Sequence, residues 1–418
     1  MKFNQWTLGL AAVGVVSLAS AARADETKMS QVQTALSNTT LSGYVDVSAQ
    51  FNPGGGGTHP GAYVDGEGYS SVSSGPNYNL GNKANQISLN VVDLALDKPL
   101  DESPWAAGYH VELWLGPDGT TLGTSSSDSQ AAIRSAYIAL RTPVGNGIDW
   151  KIGVFDTIIG YESLTSGNNP NYSRSFGFNI EPTTHTGALA SYKVNDIVTL
   201  QGGIANTSFD GSAYTANINN SGANGNNGGL SNPTLIGGVS LTAPDSFGWA
   251  KGAVLSGVVI NTSEGTNVDE DPTGATSYYV GATVPTPIAK LKFGGSFDYL
   301  NVHSGGNTWN LAGYSTYAFN DKLSLNLRYE HLSGASTLNG GAYTTYSDPI
   351  YDIDNNGENN AADEITATIQ YNLWANVISR VEARWDHVEH GNGYSSISSG
   401  ELNQSEAWLL AAQLIYTF

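Results

Sequence analysis

One stretch of the chain has a spacing that suits a metal ion. In "DIDNNGENNAAD", Asp352, Asp354, Asn356, Gly357 and Asp363 fit the pattern D-x-[DN]-x-[DN]-G-x5-[DE]. Oxygen ligands at alternate positions, with a glycine at the sharp turn, suit Ca2+. Asp352, Asp354, Asn356 and Asp363 form the candidate ligand set. Two departures weaken the match: Asp363 stands where a long bidentate Glu is usual, and Asn359 where an apolar residue is usual. The competing reading is an acidic surface loop. No other cofactor is expected.

A second pattern is charge placed at alternate positions. In "ISRVEARWD", Arg380, Glu382, Arg384 and Asp386 alternate in sign and oppose Val381, Ala383 and Trp385. Lys151 in "IDWKIGVF" and Arg328 in "KLSLNLRYE" occupy similar polar rows. Such a row either tunes the field of a water-filled space or pairs internally as a solvated wall. Catalytic groupings are missing from the sequence. The seven histidines are scattered, there is no G-x-S-x-G elbow and no phosphate-cradling loop, and no cysteine supplies a thiol. An enzyme is not expected. Nor is a nucleic-acid partner, because a net charge of −20 leaves no basic footprint.

The elements that position these residues alternate with a period of two. In "EITATIQYNLW", Ile365, Ala367, Ile369, Tyr371 and Leu373 oppose Thr366, Thr368, Gln370 and Asn372. This is a strand signal. Strands are expected at 41–51, 85–97, 107–116, 131–141, 147–155, 186–195, 197–206, 234–243, 250–261, 275–284, 288–302, 308–319, 322–332, 363–373, 376–388 and 406–418. "QISLNVVDLALD" changes parity midway, which predicts a bulge near Val91. The connections alternate between short turns and long Gly-, Ser- and Asn-rich loops. Charged residues make up only 13% of the chain, low for a soluble surface. The expected fold is all-β: a transmembrane antiparallel β-barrel of about 16 strands, with short periplasmic turns and long extracellular loops. That many strands leave room for an aqueous channel.

The first residues read as an address. Lys2 precedes an apolar core from Leu8 to about Ala19, and Ala22 and Ala24 flank Arg23 in an A-x-A cleavage pattern. A signal peptide is expected at 1–24, a short periplasmic segment at 25–40, and one barrel domain at 41–418. At the other end, "EAWLLAAQLIYTF" stops on Phe418 in mid-alternation, with Trp408, Leu410, Ala412, Leu414, Tyr416 and Phe418 on one face. A closed barrel tolerates such an end because its last strand pairs with its first.

The stretch Arg141–Tyr192, "RTPVGNGIDWKIGVFDTIIGYESLTSGNNPNYSRSFGFNIEPTTHTGALASY", together with "LSGYVDVSAQFN" and the terminal Tyr416-Thr417-Phe418, resembles the outer-membrane β-barrel porin family of the OmpL-like type. The resemblance implies a passive pore in the outer membrane of a Gram-negative bacterium, passing small hydrophilic solutes and ions by diffusion. Its alternatives are a substrate-specific channel for a nutrient such as a sugar, and a plugged barrel serving as an adhesin or enzyme. The ending with Tyr416 and Phe418 is similar to the signal read by the barrel assembly machinery. Lipid, that machinery and the solutes are the expected partners, and a homotrimer is implied. By analogy with porins, loop 156–185 folds inward as a constriction. It offers Asp156, Glu162, Arg174 and Glu181 to face Lys151, Arg328, Arg380, Glu382 and Arg384 across the pore.

Overall fold

The computed structural model describes residues 38–51, 63–64, 69–70, 83, 86–121, 131–206, 229–266, 272–303, 306–335, 359–389, 394–395 and 402–418. The expected leader, most of segment 25–40, and Asp352, Asp354 and Asn356 lie outside them.

Sixteen strands close into one antiparallel barrel. They are β1 (Thr40–Phe51), β2 (Ile87–Lys98), β3 (Ala107–Leu115), β4 (Ala131–Thr142), β5 (Ile148–Asp156), β6 (Thr184–Lys193), β7 (Val198–Ala205), β8 (Thr234–Thr242), β9 (Val254–Thr266), β10 (Pro272–Pro285), β11 (Leu291–Val302), β12 (Asn307–Ala318), β13 (Leu323–Ala335), β14 (Asn359–Trp374), β15 (Val377–Val388) and β16 (Glu406–Thr417). Each pairs with its sequence neighbours, and β16 returns to β1. Closure satisfies the backbone groups that a lipid-embedded edge would leave without partners. Among the described residues no helix is long and apolar enough to cross a membrane.

The period of two sets the two faces. On β14, Ile365 and Ile369 are half exposed on the outside, while Glu364, Thr366 and Thr368 are fully buried inside. On β16, Leu410 and Leu414 face out while Leu409, Ala411 and Ile415 face in. An apolar exterior is what a lipid-spanning barrel requires, while the inner row is polar on β14 and mainly apolar on β16.

The parity switch in β2 is a bulge. Asp46 pairs with Val91 and Val47 with Leu89, so Asn90 is the extra residue. Asn90 and Val91 are both buried, and the Asn90 amide donates to Asp46 Oδ1 at 3.0 Å and accepts from Ser48 Oγ at 2.9 Å. At the seam, Tyr416 pairs with Val45, and the Phe418 N–H and C=O exchange hydrogen bonds with Gly43 at 3.0 and 3.1 Å. A side chain at position 43 would run into the Phe418 ring and the Asp93 carbonyl, which fixes glycine there.

One end of the barrel carries tight turns, such as 143–147, 194–197, 319–322 and 375–376; the other carries the long connections. The connection expected at 262–274 is shorter than its composition suggested. β9 and β10 extend to Thr266 and Pro272, because Thr262 and Ala275 begin a further stretch of pairing across a register shift.

Candidate constriction site

Residues 157–183, between β5 and β6, do not stay at the mouth. β5 and β13 lie eight strands apart in a ring of sixteen, on opposite walls. Yet the loop makes hydrogen bonds to β13, β14 and β15, so it crosses the lumen. Its apolar side chains join all four buried hydrophobic clusters found among the described residues. Leu164, Tyr172 and Phe178 pack with Tyr44, Trp114 and Leu409; Ile158 and Ile159 with Leu189, Ile236 and Ile260. Phe176 packs with Leu332 and Val388, and Ile180 against Leu300 and Val302. A short helix, α1 (Phe176–Ile180), sits at the loop's far point, with Ser175 as N-cap accepting from the Phe178 N–H at 3.0 Å.

A loop inside a barrel brings backbone N–H and C=O groups that water no longer serves. The charged rows of the wall serve them. Arg328 donates to Glu364 and Glu162, each at 2.7 Å, to the Ser173 carbonyl at 2.9 Å, to Ser173 Oγ at 3.0 Å and to the Arg174 carbonyl at 3.2 Å. These five bonds use all five guanidinium donors. Arg380 donates to the Ser166 and Asn169 carbonyls at 3.0 and 2.6 Å, and Arg384 to the Arg174 carbonyl at 2.5 Å. Glu382 accepts from the Tyr172 and Ser173 N–H groups at 2.6 and 2.9 Å, and Glu330 from the Phe176 N–H at 2.7 Å. Glu162 accepts from the Ser175 N–H at 2.8 Å.

These contacts relocate most of the expected pore-lining set. Arg328, Arg380, Glu382 and Arg384 lie under the docked loop rather than on an open wall, each 2% exposed or less. Glu162 and Glu181 are buried with them, and Arg174 braces the loop from inside through the Tyr172 and Leu164 carbonyls. They lie on the inner face, as the period of two expects, but the loop expected to face them across the pore packs directly on them instead. Arg384 also pairs with Asp386 at 2.8 Å, the internal pairing that the alternating signs allowed.

Lys151 and Asp156 stand apart from this interface. They line a cavity of about 230 Å3 on the β3–β5 wall, facing Ser163, Thr165 and Asn168 of the loop. His110, Glu112, Arg134 and Tyr137 complete that wall. Arg134 bonds Glu112 at 3.0 Å and Asp156 at 2.8 Å, and His110 sits 3.2 Å from Asp97 and 3.3 Å from Glu112. Lys151 Nζ lies 4.9 Å from the Tyr137 ring centre. The wall is therefore mixed in sign. Sequence reading passed over His110, Glu112 and Arg134, although all three fall in alternating strands. A second cavity, of about 360 Å3, opens at the turn end beside Tyr161, Lys292, Lys322 and Arg380.

Small residues make the docking fit. A side chain at Gly238 would press on Ile158, and one at Gly294 would collide with the Tyr161 phenol. Glu181 folds back over Gly160, whose φ of +106° and lack of space both demand glycine. Burial, reinforced by the neighbouring charge of Asp298, raises the Glu181 carboxyl well above the usual glutamate range.

Of the Ca2+ candidates, Asp363 is described. It lies in β14 and accepts at Oδ1 from the Tyr329 hydroxyl at 2.9 Å, with His331 Nδ1 at 3.0 Å.

Residues 38–418 match the family model described as "Putative beta-barrel porin-2, OmpL-like". The chain belongs to this porin family. No curated protein matches the chain in sequence. Among solved structures, it is similar to the anion-selective porin from Comamonas acidovorans, with a TM-score of 0.56 at 12% identity over 91% of this chain and 99% of that one. The outer membrane channel DcaP of Acinetobacter baumannii gives 0.55 at 13% identity, over 91% and 97%. Salmonella typhi OmpF, in complex with daunomycin, gives 0.55 at 14%, also over 91% and 97%. At these identities the likeness is one of fold. A porin-family barrel is a membrane channel architecture, and in this OmpL-like porin one long loop is folded into it.

Proposed function

We propose that this protein is an outer-membrane diffusion channel of a Gram-negative bacterium, exported by way of a cleaved leader. Small hydrophilic solutes and ions pass beside the inward loop rather than through the middle of the barrel. The observation that carries this reading is the position of loop 157–183. It is fixed to the wall opposite β5, and a polar cavity remains between it and β3–β5. Lys151 and Asp156, with His110, Glu112 and Arg134, are the groups a passing solute meets. Arg328, Arg380, Glu382, Arg384, Glu162, Arg174 and Glu181 act on transport indirectly, by holding the loop.

The extent of the loop's packing favours a narrow passage, which keeps a solute-specific nutrient channel as the second reading. A structural neighbour, Vibrio cholerae OmpT, is described in a trimer form at 13% identity and a TM-score of 0.52, and a homotrimer is proposed here by analogy. Tyr416 and Phe418 are proposed as the end that the assembly machinery reads. The motif at 352–363 stays a Ca2+ proposal, and a calorimetric titration giving no heat at millimolar Ca2+ removes it.

The deciding experiment is single-channel conductance of the refolded chain 25–418 in a planar bilayer under a salt gradient. Regular conductance steps support the channel, and saturation by one solute class selects the specific one. Silence from a barrel with heat-modifiable gel migration overturns both.

A further inference from the structure

Three outward-facing side chains at the loop end of β13–β15 converge on one point. The buried inward row there is Glu330 and Leu332 on β13, Glu364 on β14, and Asp386 and Val388 on β15. The alternate residues, His331, Asp363 and Glu389, face away from the lumen. The ladder sets His331 directly opposite Asp363. His331 Nδ1 lies 3.0 Å from Asp363 Oδ1 and 3.9 Å from Glu389 Oε1, and one ligand atom from each residue falls within 4.8 Å of the others.

We propose that His331, Asp363 and Glu389 form a binding site for a first-row transition-metal ion of the Zn2+ class on the outer rim of the barrel. Bonds of about 2.1 Å in a tetrahedral site put ligand atoms about 3.4 Å apart. The two observed distances from Nδ1 bracket that value, and the partly exposed Glu389 side chain has room to close the set. An imidazole nitrogen with two carboxylates suits Zn2+ better than Ca2+ or Mg2+, which take oxygen ligands. Two carboxylates also neutralise a divalent ion. The surroundings already hold the ligands in place. The Tyr329 hydroxyl donates to Asp363, and the Trp309 ring lies 5.2 Å from His331, centre to centre. A fourth position is left for water.

The site takes Asp363, the last oxygen of the 352–363 motif, into a different ligand set. Glu389 and His331 lie outside that motif and separate the two sites experimentally. The test is calorimetric titration of ZnCl2 into the refolded chain in a phosphate-free detergent buffer, with Co2+ absorption as a second readout of coordination. One Zn2+ per chain is expected, with affinity falling at least tenfold in His331→Ala and in Glu389→Gln. A chain that binds no Zn2+ at millimolar concentration overturns the proposal. So does binding of equal strength in His331→Ala and Glu389→Gln. Because Glu389 is partly exposed, its variant keeps the barrel intact, which heat-modifiable migration checks.

Discussion

Arg328 and Glu162 meet at 2.7 Å across 166 residues of chain, and neither side chain sees solvent. The pair ties the middle of β13 to a loop that leaves the barrel wall eight strands away. Arg328→Ala leaves Glu162 and Glu364 as buried charges without their cation. Removing one partner of a buried pair costs about 3–5 kcal/mol. The loop should come away from the wall, with faster hydrogen exchange at residues 157–183 and a larger single-channel conductance. Unchanged exchange and conductance would mean that the loop is held by its apolar contacts alone.

Gly294→Ala places a methyl group where the Tyr161 phenol sits. Overpacking of this kind costs about 1–3 kcal/mol. Adding Tyr161→Ala should restore part of the loss, and a double-mutant cycle in denaturant measures the coupling. Additive effects would separate Gly294 from the loop.

The Glu181 carboxyl, raised by burial, gives the docked loop a pH dependence. A proton bound more tightly in the docked state favours docking at low pH. That contribution fades as the pH climbs from the ordinary glutamate value of 4.5 through the raised one. Hydrogen exchange of the loop should therefore quicken as the pH rises, after correction for intrinsic rates. Glu181→Gln should flatten the profile; an identical slope in the variant assigns the effect to another group.

Lys151 and Asp156 face the cavity beside the loop, so their charges should act on permeating ions rather than on docking. Lys151→Gln should move the reversal potential toward cation preference and Asp156→Asn toward anions, both with little change in loop exchange. Neutralising Arg380 and Arg384 together should instead loosen the loop, because their donors go to its carbonyls. Reversal potentials insensitive to Lys151 and Asp156 would place the ion path elsewhere in the lumen.

The sequence alone determined the barrel. A period of two assigns each strand residue to one face or the other, and alternation over some ten residues at a time placed most of the strands, put their number at about 16 and gave the last one its closing role. It located the bulge near Val91 as well, since an extra residue must reverse parity, and the strand register makes that extra residue Asn90. It also put Arg328, Arg380, Glu382 and Arg384 on the inner face. Only the tertiary structure decided what they meet there. Alternation is local, whereas the Arg380 contact with Ser166 joins residues 214 apart. Buried backbone in the loop demands partners, and the inner charges supply them, so residues that read as pore lining became anchors. Gly238 and Gly294 show the same limit. Each is one more glycine in a glycine-rich chain until Ile158 and Tyr161 arrive from the loop to occupy the space beside them.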